Sequence, residues 1–437
     1  MKSAIRLGLL GGAAAFSSDK IHVVAQKPLM ADSCPLDASL YNGKCMPSIY
    51  GSVTPDVILF ESNTTQSSHL APLVYSLEES RKKASEQKDF PWTFWPECFA
   101  NEDTPEPFCL FSDQKFANGR GIFVVTTQPL AYAMRQKDAF TKPETALERS
   151  NKFQNPPFYQ HEFPGKGRGL VANKTLHPGD QLFASTPSSS PTQISTSSPS
   201  PSASPSSTAA GADDDQVDDR ITTNNFEVIM DEVSQSALFP EIAMMNHDCR
   251  PNAAYFFDEQ TMSHFVHATR TIYPGEEITI TYINNESLRN NRIQGLRKNW
   301  GFTCACSACT AHPALVAESD ARMTQITTLM EALNDYSDTS YASPEVGELV
   351  VSLYKQERLD ANLGTAYQYA AEVYSSFGMK WEAVKYAKLS VEMSILDKGW
   401  ADKDVNTMRK MAAAPELSWS WRKRVGQKAG CGCGKGH

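Results

Sequence analysis

A chain of 437 residues exceeds what one hydrophobic core ordinarily organises, so two or three domains are expected. Its 41% hydrophobic and 10% aromatic content suffices for such cores, and a formal net charge of −9 argues against a protein built chiefly to grip phosphate backbones. A positively charged ligand or a basic peptide is the better electrostatic match.

Lys2 and Arg6 precede an apolar run from Leu7 to Phe16, and Val23-Val24-Ala25 offers small residues for cleavage, so residues 1–25 have the pattern of a secretory signal. That run is too short to span a bilayer, and no later stretch reaches about 20 apolar residues; a soluble mature chain is expected. Residues 26–155 mix aromatic clusters (Trp92, Phe94, Trp95) with polar turns, and Arg120-Gly121-Ile122-Phe123-Val124-Val125-Thr126-Thr127 reads as a buried strand. Over 156–184 short apolar runs alternate with glycine turns, at Gly165-Lys166-Gly167-Arg168-Gly169 and His177-Pro178-Gly179-Asp180, which signals small sheets.

Residues 185–218 form a Ser/Pro/Thr tract followed by acidic residues, with almost no large apolar side chains to offset the entropy of ordering, so a disordered insertion is expected. Over 219–284 strands resume at residues 253–257, 264–268 and 277–282, the last after a Pro274-Gly275 turn. A cysteine-rich segment, 285–312, leads into 313–425, which is rich in Ala, Leu, Glu and Lys with helical periodicity. There Leu363, Ala366, Ala370, Val373 and Phe377 form one stripe capped by Gly378, and Trp381, Val384, Ala387, Val391 and Ile395 form a second. Residues 426–437 are a flexible Gly/Cys tail.

The ten cysteines fall into three groups: Cys34, Cys45, Cys98 and Cys109; Cys249, Cys304, Cys306 and Cys309; and Cys431 with Cys433. The first group is compatible with disulfides and equally with free buried thiols. In the second, Cys304-Ala305-Cys306-Ser307-Ala308-Cys309 supplies three thiolates, one short of a closed tetrahedral zinc site. Cys249, about 55 residues upstream, is preferred as the fourth over Cys431 and Cys433, which lie in the Gly-rich tail. Asn246 and His247 follow directly on the apolar Ile242-Ala243-Met244-Met245, so a polar pair emerges from a buried segment and needs hydrogen-bond partners; an adenine edge is one candidate.

In order along the chain come Gly-x-Gly-Arg-Gly, then Asn-His-x-Cys-x-Pro-Asn at 246–252, then Gly-Glu-Glu-Ile-Thr-Ile-Thr-Tyr at 275–282, then Gly-Phe-Thr-Cys-x-Cys-x-x-Cys at 301–309. That order resembles the SET-domain protein methyltransferases with a post-SET zinc segment, and is nearest to fungal SET proteins related to the SET-and-MYND branch. The helices after it, about 34 residues for one pair, resemble a tetratricopeptide-type unit. The fold class implied is α+β: a small-sheet, β-rich SET fold with a post-SET zinc segment, followed by an all-α C-terminal domain. One departure from the branch is plain, since the Ser/Pro insertion stands where that branch carries its MYND finger.

The resemblance implies S-adenosyl-L-methionine as cofactor and a structural Zn2+ held by Cys249, Cys304, Cys306 and Cys309. It implies that Lys166 and Arg168 lie by the methionine part of the cofactor, that Asn246 and His247 hold it, that Phe302 packs on its adenine and that Asn224 adds a contact. Tyr282 is implied as the catalytic residue, at the place where the methyl group passes to a lysine amine. The expected partner is a basic protein segment, a histone among the possibilities, with neither direct nucleic-acid binding nor a membrane span. The alternative is a non-catalytic SET scaffold that binds partners through its helical domain. Cofactor and zinc thiolates point to the nucleus or cytoplasm, and the signal-like N-terminus points to secretion.

Overall fold

The computed structural model describes residues 38–41, 44–47, 76–99, 106–187 and 224–426. The signal-like segment, residues 188–218 of the insertion with 219–223 after it, Cys34, the side chain of Cys45 and the Gly/Cys tail from 427 lie outside the described residues. By internal contacts the chain divides into two units, one made of Met1–Glu148, Thr186–Pro240 and Glu259–Met262, the other of Arg149–Ser185, Glu241–Asp258 and Ser263–His437. These boundaries group residues 224–240 with the N-terminal region, and the helical region with the candidate site.

In chain order the strands are β1 (Ala38–Tyr41), β2 (Lys44–Pro47), β3 (Glu97–Phe99), β4 (Phe108–Asp113), β5 (Ile122–Thr127), β6 (Phe158–Phe163), β7 (Gly167–Ala172), β8 (Gln181–Ser185), β9 (Asn225–Met230), β10 (Val233–Leu238), β11 (Asn246–His247), β12 (Ala253–Asp258), β13 (Ser263–Ala268) and β14 (Glu277–Ile280). The longer helices are α1 (Leu77–Glu86), α2 (Gln128–Arg135), α3 (Arg289–Trp300), α4 (Pro313–Asn334), α5 (Pro344–Gln356), α6 (Leu363–Ser376), α7 (Lys380–Lys398) and α8 (Lys403–Ala413).

In the first unit β3, β4 and β5 form an antiparallel meander, and a disulfide joins Cys98 to Cys109, which face each other across β3 and β4. Trp92, Phe111 and Ala131 of α2 pack with Cys109 to make its core. The expectation of a buried strand at 120–127 is corrected here. β5 is an edge strand whose side chains alternate, with Ile122 and Thr126 buried while Phe123 and Val125 face outward. A continuous β-branched and aromatic run therefore marked a one-sided antiparallel strand, which periodicity alone does not separate from a buried one.

In the second unit the sheet that positions the site has the order β11-β14-β7-β6. β6 and β7 form an antiparallel hairpin, and its tight connection uses left-handed backbone at Gly165 and Gly167. β14 pairs antiparallel with β7 and parallel with β11, so the 246–247 segment lies beside 279–280. A second sheet, β12-β13-β8, ends at Ser185, which pairs with His264; Thr186 is also buried, so the first residues assigned to the insertion belong to the fold. The strand expected to reach Tyr282 stops at Ile280, and Tyr282 sits in the bend beyond it.

α4 to α8 bury a shared core that includes Met323, Ile326, Val350, Tyr354, Ala370, Val373, Met408 and Met411. The first expected stripe holds on α6: Leu363, Ala366, Ala370 and Val373 are buried. Gly378 takes the left-handed cap, with its N–H on Ser375 O at 2.9 Å and that of Met379 on Tyr374 O at 2.9 Å. The second stripe is corrected except at Ala387, which is buried as expected. On α7 the buried face is Ala383, Tyr386, Ala387, Ser390 and Ser394, and Trp381 is 78% exposed. The reason is close backbone approach between antiparallel neighbours: Ser390 Oγ donates to Gly364 O at 2.8 Å, and a Cβ on Gly364 would lie 2.3 Å from Ser394 Oγ. Small serines fill that seam, where large apolar residues would not fit.

Candidate active site and metal centre

Four sulfurs converge. The Sγ atoms of Cys249, Cys304, Cys306 and Cys309 all lie within 4.8 Å of one another, buried, with no disulfide among them. Cys249 Sγ is 4.0 Å from Cys304 Sγ and 3.5 Å from Cys309 Sγ. Zn–S bonds of about 2.3 Å in a tetrahedron require S···S separations of about 3.8 Å, and the two separations from Cys249 lie on either side of that value, so the four thiols suit a zinc ion. Neighbouring S–H donors from Cys249, Cys304 and Cys309 pull the Cys306 thiol far below the usual thiol range, whereas the same sulfur neighbours and burial hold the Cys249 thiol well above it.

Two arginines on the helix between the two cysteine segments reach the cluster. Arg292 of α3 is 2% exposed and donates through Nη1 to the Ser287 carbonyl; burial opposes its charge, but the nearby sulfurs of Cys249 and Cys309 favour it and raise its pKa. Arg289 Nε donates to the Cys309 carbonyl at 2.7 Å. Neither arginine stood out in the sequence, since the helix itself was not expected between 285 and 312. Leu296 at its buried face was the available signal.

The cysteine cluster is packed directly against the residues expected to do chemistry. Tyr282, Trp300 and Phe302 all lie on it. The hydroxyl of Tyr282 donates to the Met245 carbonyl at 2.7 Å, and its N–H donates to His247 Nδ1 at 3.1 Å. Because an N–H can only donate, Nδ1 is the acceptor and the ring proton sits on Nε2, which faces Cys249 Sγ at 3.3 Å. Burial, with the charges of Arg292 and Lys166 adding, pushes the His247 pKa down to about 4, so the ring is neutral at neutral pH. Both ring nitrogens are engaged inside the protein. Burial first, then Tyr255 and Glu277, raises the Tyr282 phenol above its ordinary value; it stays protonated.

Asn246, Lys166 and Glu277 form a second group. Glu277 accepts from Asn246 Nδ2 through Oε1 at 2.9 Å and from Lys166 Nζ through Oε2 at 2.8 Å. The Asn246 amide is thereby oriented with its carbonyl oxygen left to accept a donor. Glu277 was not among the expected site residues, although it lies in the quoted Gly-Glu-Glu motif. Gly169 makes room for this group: a Cβ there would lie 2.6 Å from Asn246 Nδ2 and 3.1 Å from Glu277 Oε1. Arg168 stands in β7 opposite Glu162, two residues from Lys166. Phe302 lies 6.3 Å, centroid to centroid, from His247. The sheet and the cysteine cluster thus gather Lys166, Arg168, Asn246, His247, Tyr282 and Phe302 within the second unit; Asn224 belongs to the first, immediately before β9.

Comparison with known proteins bears on this arrangement. Residues 167–283 match the SET domain family. The chain is 32% identical over 118 residues to N-lysine methyltransferase SMYD2 of Mus musculus, 26% of this chain and 27% of that protein. With the protein of the same name from Bos taurus the identity is 37% over 93 residues, 21% of each chain. Histone-lysine N-methyltransferase set5 of Schizosaccharomyces pombe is 26% identical over 184 residues, 40% of this chain and 58% of that protein. The matched stretch therefore spans about a quarter of the mouse relative and somewhat over half of the yeast one.

Proposed function

We propose, from the premise that this chain carries a SET domain homologous to those of SET-and-MYND-related lysine methyltransferases, that it is a protein-lysine N-methyltransferase using S-adenosylmethionine and a structural zinc. The observation that carries the reading is one hydrogen bond in its setting: Tyr282 OH on the Met245 carbonyl at 2.7 Å, at the end of the strand pair that presents Asn246. The substrate class is a lysine in a basic protein segment, histone tails among them, in keeping with the chain's net charge of −9.

S-adenosylmethionine, when bound, supplies a methyl group on a positively charged sulfur. The chain's part is to hold and to exclude. Asn246, oriented by Glu277, offers its amide oxygen to an amine, and Lys166 offers an ammonium to a carboxylate. Phe302 supplies an apolar surface for a purine ring. Tyr282, packed on Trp300 with ring centroids 5.5 Å apart, offers an apolar wall for a lysine stem; such a wall favours the neutral amine needed for in-line attack, which a free lysine rarely presents at neutral pH. A phenol that stays protonated and already donates to a carbonyl can orient an amine through its oxygen lone pair without acting as a base. The four thiolates leave a zinc ion no open position, so its part is architectural.

The test is thermal stabilisation of the purified chain by S-adenosylmethionine, followed by transfer of labelled methyl to mixed basic proteins. Stabilisation and labelled lysine are expected, with Tyr282→Phe retaining cofactor binding while transfer falls about 100-fold through loss of amine orientation. Cofactor binding with no transfer to any basic protein would instead support the scaffold reading.

A further inference from the structure

Between the metal-ligating Cys249 and Pro251 stands Arg250, whose side chain is 5% exposed. Its Nη1 donates to the Cys249 carbonyl at 2.8 Å and to the Asn285 carbonyl at 3.2 Å, and its Nη2 donates to Glu357 Oε2 at 2.7 Å. Glu357, at the C-terminal end of α5, is 4% exposed and is itself held on three sides, since Ser319 Oγ donates to Oε2 at 2.7 Å and Arg322 Nε to Oε1 at 2.6 Å. Both oxygens of the carboxylate are thus occupied, and the guanidinium spans two main-chain segments. One of those segments carries a sulfur of the cluster, and the other begins three residues after Tyr282.

We infer that Glu357 is a positioning residue for the metal and cofactor segment, acting through Arg250, so that the helical region is a structural part of the site rather than an appended module. The inference rests on the reading of the four cysteines as a zinc site. A buried ion pair is poor evidence for stability in itself, because well-packed apolar residues often replace one without loss. Its worth here is directional. Arg250 is the donor that fixes the carbonyls of Cys249 and Asn285, and it can hold that geometry only while a fully hydrogen-bonded carboxylate faces it. Outer partners of metal ligands commonly change metal affinity about 10–100-fold when removed.

The experiment uses the full chain and compares wild type, Glu357→Gln and the double variant Arg250→Met with Glu357→Leu. Each is scored for melting temperature, rate of zinc release to a chromogenic chelator, and alkylation rate of Cys249 read by peptide mapping. In Glu357→Gln, zinc release and Cys249 alkylation are expected to quicken about tenfold or more. The double variant should recover the melting temperature, yet its zinc release should stay fast, because the two carbonyls still lack their donor. Recovery of slow release in the double variant, or unchanged release in Glu357→Gln, would overturn the inference and leave the network as fold stabilisation alone. A wild-type chain without zinc refutes the metal reading separately, and Cys249 alkylation then decides the positioning role by itself.

Discussion

Tyr282, Asn246 and Gly169 show how little freedom the site leaves to single residues. Gly169 needs no unusual backbone angle; what it needs is space, because any Cβ would push into the Asn246 amide and the Glu277 carboxylate. Gly169→Ala is therefore expected to weaken S-adenosylmethionine binding about tenfold or more, with the melting temperature of the ligand-free chain lowered by only a few degrees. Isothermal titration checks this, and an unchanged affinity would show that Asn246 does not hold the cofactor. Cys249 was legible at this scale because CxCxxC demands a fourth ligand and the alternative cysteines sit in a Gly-rich tail. Glu277 was not. Its importance comes from two partners at sequence distances of 31 and 111 residues, which no local pattern carries.

At the scale of elements, α6 and α7 illustrate both outcomes. The α6 stripe and the Gly378 cap could be read because large apolar residues at helical spacing and a glycine at the end state their own roles. Of the buried face of α7 only Ala387 could be read, because beside Tyr386, which stacks on Tyr374, its contact with α6 is built from Ala and Ser close to Gly364, small residues that do not mark a stripe. On the same helix Asp397 is half-buried, and burial pushes its pKa up to about 7, with Lys398 offsetting only part of that rise. Between its ordinary value of 3.8 and about 7, the folded chain holds a proton at Asp397 that the unfolded chain has released, so stability falls as pH rises through that window. Asp397→Asn should remove this slope and raise stability above pH 7 by about 1–2 kcal/mol, a figure discounted for partial solvent exposure. Thermal melts at pH 5 and pH 8 check it; equal shifts at both would contradict the burial argument.

Across the whole chain, the SET-type core and the helical region share one unit by contacts, while the N-terminal region and residues 224–240 share the other. The sequence motifs located the core because they are short and their residue types are dictated by ligand chemistry. Unit boundaries are dictated by long-range packing instead, so residues 224–240, which the SET domain match includes, group by contacts with the N-terminal region. α3 belongs to the same lesson: its composition is charged and its buried residues are few, yet it carries Arg289 and Arg292 to the cysteine cluster.

The proposed zinc site is a geometric device: it would tie the Asn246 segment to Phe302 and Tyr282 without taking part in chemistry. The direct measurement is S-adenosylmethionine affinity of the purified chain, with its zinc content, for wild type and for Cys306→Ser. One zinc per wild-type chain, with loss of zinc and at least tenfold weaker cofactor binding in the variant, is the predicted result. A variant with unchanged cofactor affinity, whether or not it keeps its zinc, would contradict the account.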